Sequence, residues 1–148
     1  MKPSINAINL IKEFEGFYST AYLCPANVET IGFGTVRYKN GNKVKLGERI
    51  TMKEAEDELM FELEKIAINI KAKINQNQFD ALCSFTYNLG IGALLNSTLY
   101  KKVRLNPEDQ TIKDEFLRWN KARVGGKLVV LRGLTRRRIA ESNLYFKK

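Results

Sequence analysis

Apolar residues at Ile5, Ile8, Leu10, Ile11 and Phe14 recur at the spacing of one helix face, and Ser4 stands just ahead of them as an N-cap. The helix so predicted ends near Gly16 and carries Glu15 to its C-terminal edge. Between Tyr22 and Leu46 the rhythm changes. Thr30 to Tyr38 is rich in β-formers, Lys39-Asn40-Gly41-Asn42 is a turn signal, and Lys43 to Leu46 returns, which predicts a small antiparallel sheet. Thr51 and Glu54 then stand at capping-box spacing, where each satisfies a backbone donor the other leaves free. The series Ala55, Leu59, Leu63, Ile66, Ile70, Ile74 follows and predicts one long helix over residues 52–74. Its acids (Glu54, Glu56, Asp57, Glu58) crowd the first half and its lysines (Lys65, Lys71, Lys73) the second, as the helix dipole favours.

Beyond that helix the periodicity stays helical. Phe79, Leu82, Cys83 and Phe85 mark a helix closed by Leu89-Gly90, and Leu94 to Val103, Ile112 to Trp119 and Thr135 to Tyr145 mark three more. Asn106-Pro107 and Gly125-Gly126 read as loops between them. The expectation is an α+β, mainly helical chain of one domain spanning residues 1–148. Within it, a small sheet-bearing lobe (1–50) is joined by a connecting helix (51–75) to a helical lobe (76–148). A groove between two lobes suits an extended substrate.

Composition narrows the chemistry. The 148 residues contain no histidine, so neither a Ser-His-Asp triad nor a histidine zinc site can be built, and catalysis must use carboxylate, thiol, lysine or tyrosine. Two cysteines, Cys24 and Cys83, are too few for a disulfide framework and lack the spacing of a metal site, so no metal and no cofactor is expected. They suit free thiols in a reducing cytoplasm. No apolar run approaches a membrane span and the opening residues lack a signal-peptide core, so no stable membrane insertion is expected. The net charge of +9 lies wholly in residues 101–148, which hold 14 basic and 5 acidic side chains, whereas residues 1–100 balance at 11 and 11. Such a surface favours a polyanion, whether nucleic acid, anionic lipid or bacterial envelope, or serves solubility alone.

Glu15 is a candidate general acid because it lies at a helix end among Phe14, Phe17 and Tyr18. Read alone, an acid there is equally well a surface residue. Cys24 before Pro25 has a bland reading as a small-pocket filler, and Cys83 lies on an apolar face and reads as core. Trp119 near Phe116 reads as core rather than as a sugar-stacking platform. Arg136, Arg137 and Arg138 point about 100° apart on a helix, so at most two can face a cleft and the rest are expected in solvent.

Glu15-Gly16, Ala21-Tyr22 and Thr30-Ile31-Gly32-Phe33-Gly34-Thr35, with Cys24 two residues beyond Tyr22, resemble the signature of the phage-type lysozymes of glycoside hydrolase family 24. The resemblance continues through Asn88-Leu89-Gly90-Ile91-Gly92-Ala93, Ser97-Thr98-Leu99, Phe116 and Trp119, and ends with Gly133-Leu134, Arg137-Arg138, Glu141 and Leu144-Tyr145. It implies a lysozyme-like two-lobed fold and hydrolysis of the β-1,4 bond between N-acetylmuramic acid and N-acetylglucosamine in peptidoglycan. It further implies that Glu15 is the general acid, that Cys24 occupies the second catalytic position where many members have Asp, and that Thr30 helps to hold the attacking water. Gly32, Val36, Tyr87 and Asn88 are implied at the substrate, and Arg137 near Glu15 or the substrate. Where Thr35 stands the family often has His, whose absence is expected to loosen a structural contact more than the chemistry.

A thiol is a poorer base than a carboxylate at neutral pH, so Cys24 is open as base, nucleophile or bystander. The leading expectation is an endolysin-type muramidase made in the host cytoplasm, acting as a monomer on the wall after release through a lesion such as a holin makes. The alternatives are a lytic transglycosylase and a wall-binding relative of weak activity. A nucleic-acid partner is not expected, because no recognised motif accompanies the basic segment.

Overall fold

The computed structural model describes all of residues 1–148. Helix α1 (Ile5–Glu15) starts where Ser4 Oγ accepts from the Asn6 amide, and it buries Ala7, Ile8 and Ile11. Ser4 also bonds through its amide and hydroxyl to the carboxylate of Asp80, which ties the start of α1 to the third helix. Gly16, at φ 74°, ends α1 and returns its N–H to the Lys12 carbonyl, so Glu15 stands on the last turn as expected.

Strands β1 (Tyr18–Leu23) and β2 (Glu29–Gly32) pair antiparallel, with Tyr22 opposite Thr30 and an irregularity between Tyr18 and Tyr22. The sheet is shorter than the sequence predicts and differently placed. The stretch expected as one strand to Tyr38 leaves the ladder at Gly32, because Gly32 and Gly34 take φ of 65° and 96°. Ile31 and Thr35 then exchange both backbone hydrogen bonds at 2.9 Å, folding residues 31–35 into a tight turn. Arg37 and Lys43 meet only in an isolated bridge.

Helix α2 (Met52–Ala67) begins at the predicted capping box, where the Glu54 amide and Thr51 Oγ1 lie 3.1 Å apart and the Thr51 amide and Glu54 carboxylate 3.0 Å. It stops at Ala67 rather than near Ile74. Ile70 and Ile74 still pack inward from the irregular link to α3 (Gln76–Leu89), so their helical spacing reflects burial and not a continued helix. Helix α3 is the central element. Every residue from Gln78 to Thr86 is buried, and it packs against α1, α2 and α7 (Arg132–Tyr145).

The single helix expected over residues 94–103 is two, α4 (Ile91–Leu95) and α5 (Thr98–Leu105), because Ser97 caps the second through the Tyr100 amide. Helix α6 (Ile112–Leu117) follows. The Gly125-Gly126 loop is the tip of a hairpin that periodicity did not reveal, β3 (Lys121–Val124) against β4 (Lys127–Val130). One core of 24 buried apolar residues runs through the molecule, and Phe85, Phe116, Trp119 and Tyr145 form its edge-to-face aromatic part. Trp119 thus packs on Phe85, and Cys83 is fully buried, as the sequence suggests.

Candidate active site

A cleft of about 330 Å³ opens between the 31–35 turn, α2 and the end of α3, lined by Glu15, Gly34, Thr35, Val36, Arg37, Glu62, Tyr87 and Asn88. Four of the residues singled out from sequence therefore meet in it: Glu15, Val36, Tyr87 and Asn88. Cleft and turn depend on each other. Tyr87, on the last turn of α3, donates its hydroxyl to the Phe33 carbonyl at 2.6 Å, and a Cβ at Gly34 would lie 3.1 Å from that hydroxyl and 3.7 Å from Glu15 Oε2. Glycine at 34 thus keeps open the space into which Glu15 faces. Burial, with the nearby charges of Glu15 and Glu62, pushes the Tyr87 phenol up, so it stays protonated and serves as a donor.

Glu15 is held from behind. Arg137 Nη1 donates to Glu15 Oε1 at 2.7 Å, leaving Oε2 toward Gly34 and the cleft. Arg137 is 4% exposed, so substrate does not reach it; of the two roles implied for it, the structure places it beside Glu15. Its own position is fixed by Ser84 O and Oγ and by Glu141 Oε2. Glu141 is fully buried and also accepts from Ser84 Oγ at 2.6 Å, while Arg138 Nε lies 2.7 Å from its other oxygen. Burial pushes the Glu141 carboxyl up, against the pull of the Arg138 and Arg137 charges.

Arg138 corrects the expectation of solvated arginines. It has no exposed surface and spans from Glu141 to Asn88 Oδ1 (2.8 Å) and the Trp119 carbonyl. With Asn88 Oδ1 so engaged, its Nδ2 donors are left for the cleft. Arg136 alone of the three is exposed, against the Phe14 ring.

Cys24 and Thr30 lie apart from the lining of that cleft but next to each other. Cys24 occupies a turn in which its amide donates to the Val28 carbonyl, and it is half-buried rather than sunk in the core. The Val28 amide brings the thiol below its ordinary range, helped by the Ala26 amide and the Thr30 hydroxyl. Thr30 is buried, and its hydroxyl donates to the Val28 carbonyl at 2.8 Å. Burial and Tyr18, then the charges of Cys24 and Glu15, push the Tyr22 phenol up. Gly32 departs from its implied role. It is buried, and a Cβ there would meet the Ala55 Cβ at 3.0 Å, so its smallness serves the packing of the turn on α2.

Besides Gly34, which belongs to the motif that carries the resemblance, three lining residues were not singled out as contacts from sequence. Glu62 falls within the helix predicted over residues 52–74 and Arg37 within the β-rich stretch from Thr30 to Tyr38, and neither carries a motif position. Thr35 stood out only as the place where the resembling family often has His, yet its hydroxyl is buried against the cleft without a protein partner. Its presence in a G-x-G-x turn was the available signal.

Comparison with known proteins agrees with this geometry. Residues 12–141 match the phage lysozyme family model. The chain is 38% identical to an endolysin of Acyrthosiphon pisum secondary endosymbiont phage 1, over 98% of each chain. Among solved structures it is similar to the endolysin from Escherichia coli O157:H7 phage FAHEc1, at TM-score 0.89 and 39% identity over 99% of this chain and 94% of that one. It is similar also to the muramidase domain of SpmX from Asticaccaulis excentricus, at TM-score 0.88 and 31% identity over 99% of both chains.

Proposed function

The chain belongs to the phage lysozyme family, and on that premise we propose how its residues cut the wall. It is an endolysin-type muramidase, a glycoside hydrolase acting on the β-1,4 bond between N-acetylmuramic acid and N-acetylglucosamine of peptidoglycan. Glu15 is the general acid: its free oxygen, Oε2, protonates the leaving glycosidic oxygen as the bond to the anomeric carbon breaks. The observation that carries this reading is the 2.7 Å contact of Arg137 with Glu15 Oε1, which occupies one carboxylate oxygen and points the other into the cleft.

Cys24 and Thr30 act together at the second catalytic position. Cys24 is the group beside the attacking water, and Thr30 helps to orient that water. Val36, Asn88 and Tyr87 hold the sugars on the lips of the cleft. Residues 1–148 work as one catalytic unit and as a monomer. No helix is long and apolar enough to cross a membrane. The protein is made in the host cytoplasm and reaches the wall through a lesion such as a holin makes.

Mass spectrometry of fragments released from purified peptidoglycan tests the reaction type. Reducing muramic acid ends are expected from the wild type, and anhydro ends would make the enzyme a transglycosylase. A Cys24→Ser variant is expected to keep the same products at a rate lower by about 10- to 100-fold; an unchanged rate would remove the thiol from the mechanism.

A further inference from the structure

A hollow larger than the catalytic cleft lies elsewhere on the molecule. A groove of about 680 Å³ lies between the first residues, the outer face and end of α2, and the start of α3, lined by Met1, Phe61, Ile68, Ile70, Ile74 and Phe79 among others. Phe61 and Ile68 are seven residues apart on the outward side of α2 and its cap, while Ala55, Leu59 and Leu63 form its buried side. Neither Phe61 nor Ile68 belongs to the buried core. Ile68 is 73% exposed, Met1 66% and Phe61 37%, so three such residues surround one hollow.

The rim is cationic. Lys2, Lys65 and Lys71 border the groove with Glu64, and Lys65 is paired with Glu62, which leaves Lys2 and Lys71 without an ion-pair partner. The Lys65 ammonium lies 5.5 Å from the Phe61 ring centre and 3.3 Å from Glu62, so its stem covers apolar surface while its charge stays at the edge. An apolar hollow ringed by lysines complements an apolar chain with a negative end. We propose that this groove seats an acyl chain of an anionic phospholipid and docks the protein peripherally on a membrane surface, with the lysines at the phosphates.

Glu62, which lines the cleft, is adjacent in sequence to Phe61 and so points about 100° away from it around α2. The groove and the cleft thus open on different faces of α2, with the Lys65–Glu62 ion pair at the border between them. Docking uses none of the residues assigned to catalysis.

Sedimentation with vesicles of phosphatidylglycerol, compared with phosphatidylcholine, tests the proposal on the full chain. Selective binding to the anionic vesicles is expected. Ile68→Ser, which leaves the charge unchanged, is expected to weaken it about ten-fold or more, and Lys71→Glu at least five-fold. Both variants change exposed side chains, and both should clear peptidoglycan at the wild-type rate. The control is Leu128→Ser with Val130→Ser on the exposed, basic β3–β4 hairpin, expected to bind as the wild type does. Loss of binding in the control but not in Ile68→Ser, or no vesicle binding by the wild type, would overturn the proposal. So would analytical ultracentrifugation showing a dimer that Ile68→Ser abolishes, which would assign the groove to a second copy of the chain.

Discussion

Glu141→Gln removes one negative charge from a place where two guanidiniums have been taken out of water. Arg138 has no exposed surface and Arg137 is nearly buried, and both contact the carboxylate of Glu141, itself fully buried. The amide of glutamine fills the same volume and can still accept from Ser84, so packing is retained while the charge is not. Glu15 is left to offset Arg137 alone, and Arg138 keeps only neutral acceptors, the Asn88 side chain and the Trp119 carbonyl. Breaking a buried ion pair from one side costs about 3–5 kcal/mol. For a chain of this size, that is a fall in Tm of roughly 6–20 °C. Urea unfolding followed by Trp119 fluorescence measures the loss, with an unchanged slope in denaturant showing that the native state is otherwise intact. A loss under about 1 kcal/mol would refute the reasoning, since it would mean that Glu141 is not the charge compensating these arginines.

Three further outcomes follow from the same geometry. Thr35→Val removes a buried hydroxyl that has no protein partner, so Tm should hold or rise slightly with KM for peptidoglycan unchanged; a Tm lower by several degrees would show that the hydroxyl serves the fold. Gly34→Ala places a Cβ 3.1 Å from Tyr87 Oη at a φ of 96°, and should cost about 1–3 kcal/mol of stability together with most of the activity; wild-type values of both would mean that the turn is not held as described. Cys24 should be alkylated in the folded protein, with a pH midpoint below that of an ordinary thiol because its thiolate forms at lower pH. Cys83, buried and pushed up, should react only on unfolding, and equal rates at the two would contradict both assignments.

Local signals were the most readable part of the chain. The caps at Ser4 and Thr51 depend on neighbours within a few residues, and both form as read. Glu15 arrives at the cleft because the helix end that carries it was also local. What escaped reading depends on distant partners. Ile70 and Ile74 keep a helical spacing after α2 has ended because they pack against the core from an irregular link. The β3–β4 hairpin has Val124, Leu128 and Val130 largely exposed, so neither strand shows the alternation that burial of one face produces. Arg138 was expected to face either a cleft or solvent, like its two neighbours. Only the fold brings it to Asn88, fifty residues away, and buries it with Glu141. Gly32 carries a motif position that suggests sugar contact, whereas its constraint is the approach of Ala55 on α2, a contact that no local pattern encodes.

The central claim is that Glu15, clamped by Arg137 with one oxygen free, gives the proton that breaks the glycosidic bond. The kcat of Glu15→Gln on purified peptidoglycan, measured beside its affinity for the same material, tests this most directly. Glutamine preserves the shape and can still accept from Arg137, so affinity should stay within a few-fold of wild type while kcat falls by about 10²–10⁴. A variant that binds as before and keeps kcat within ten-fold of wild type would contradict the account and move the acid elsewhere in the cleft.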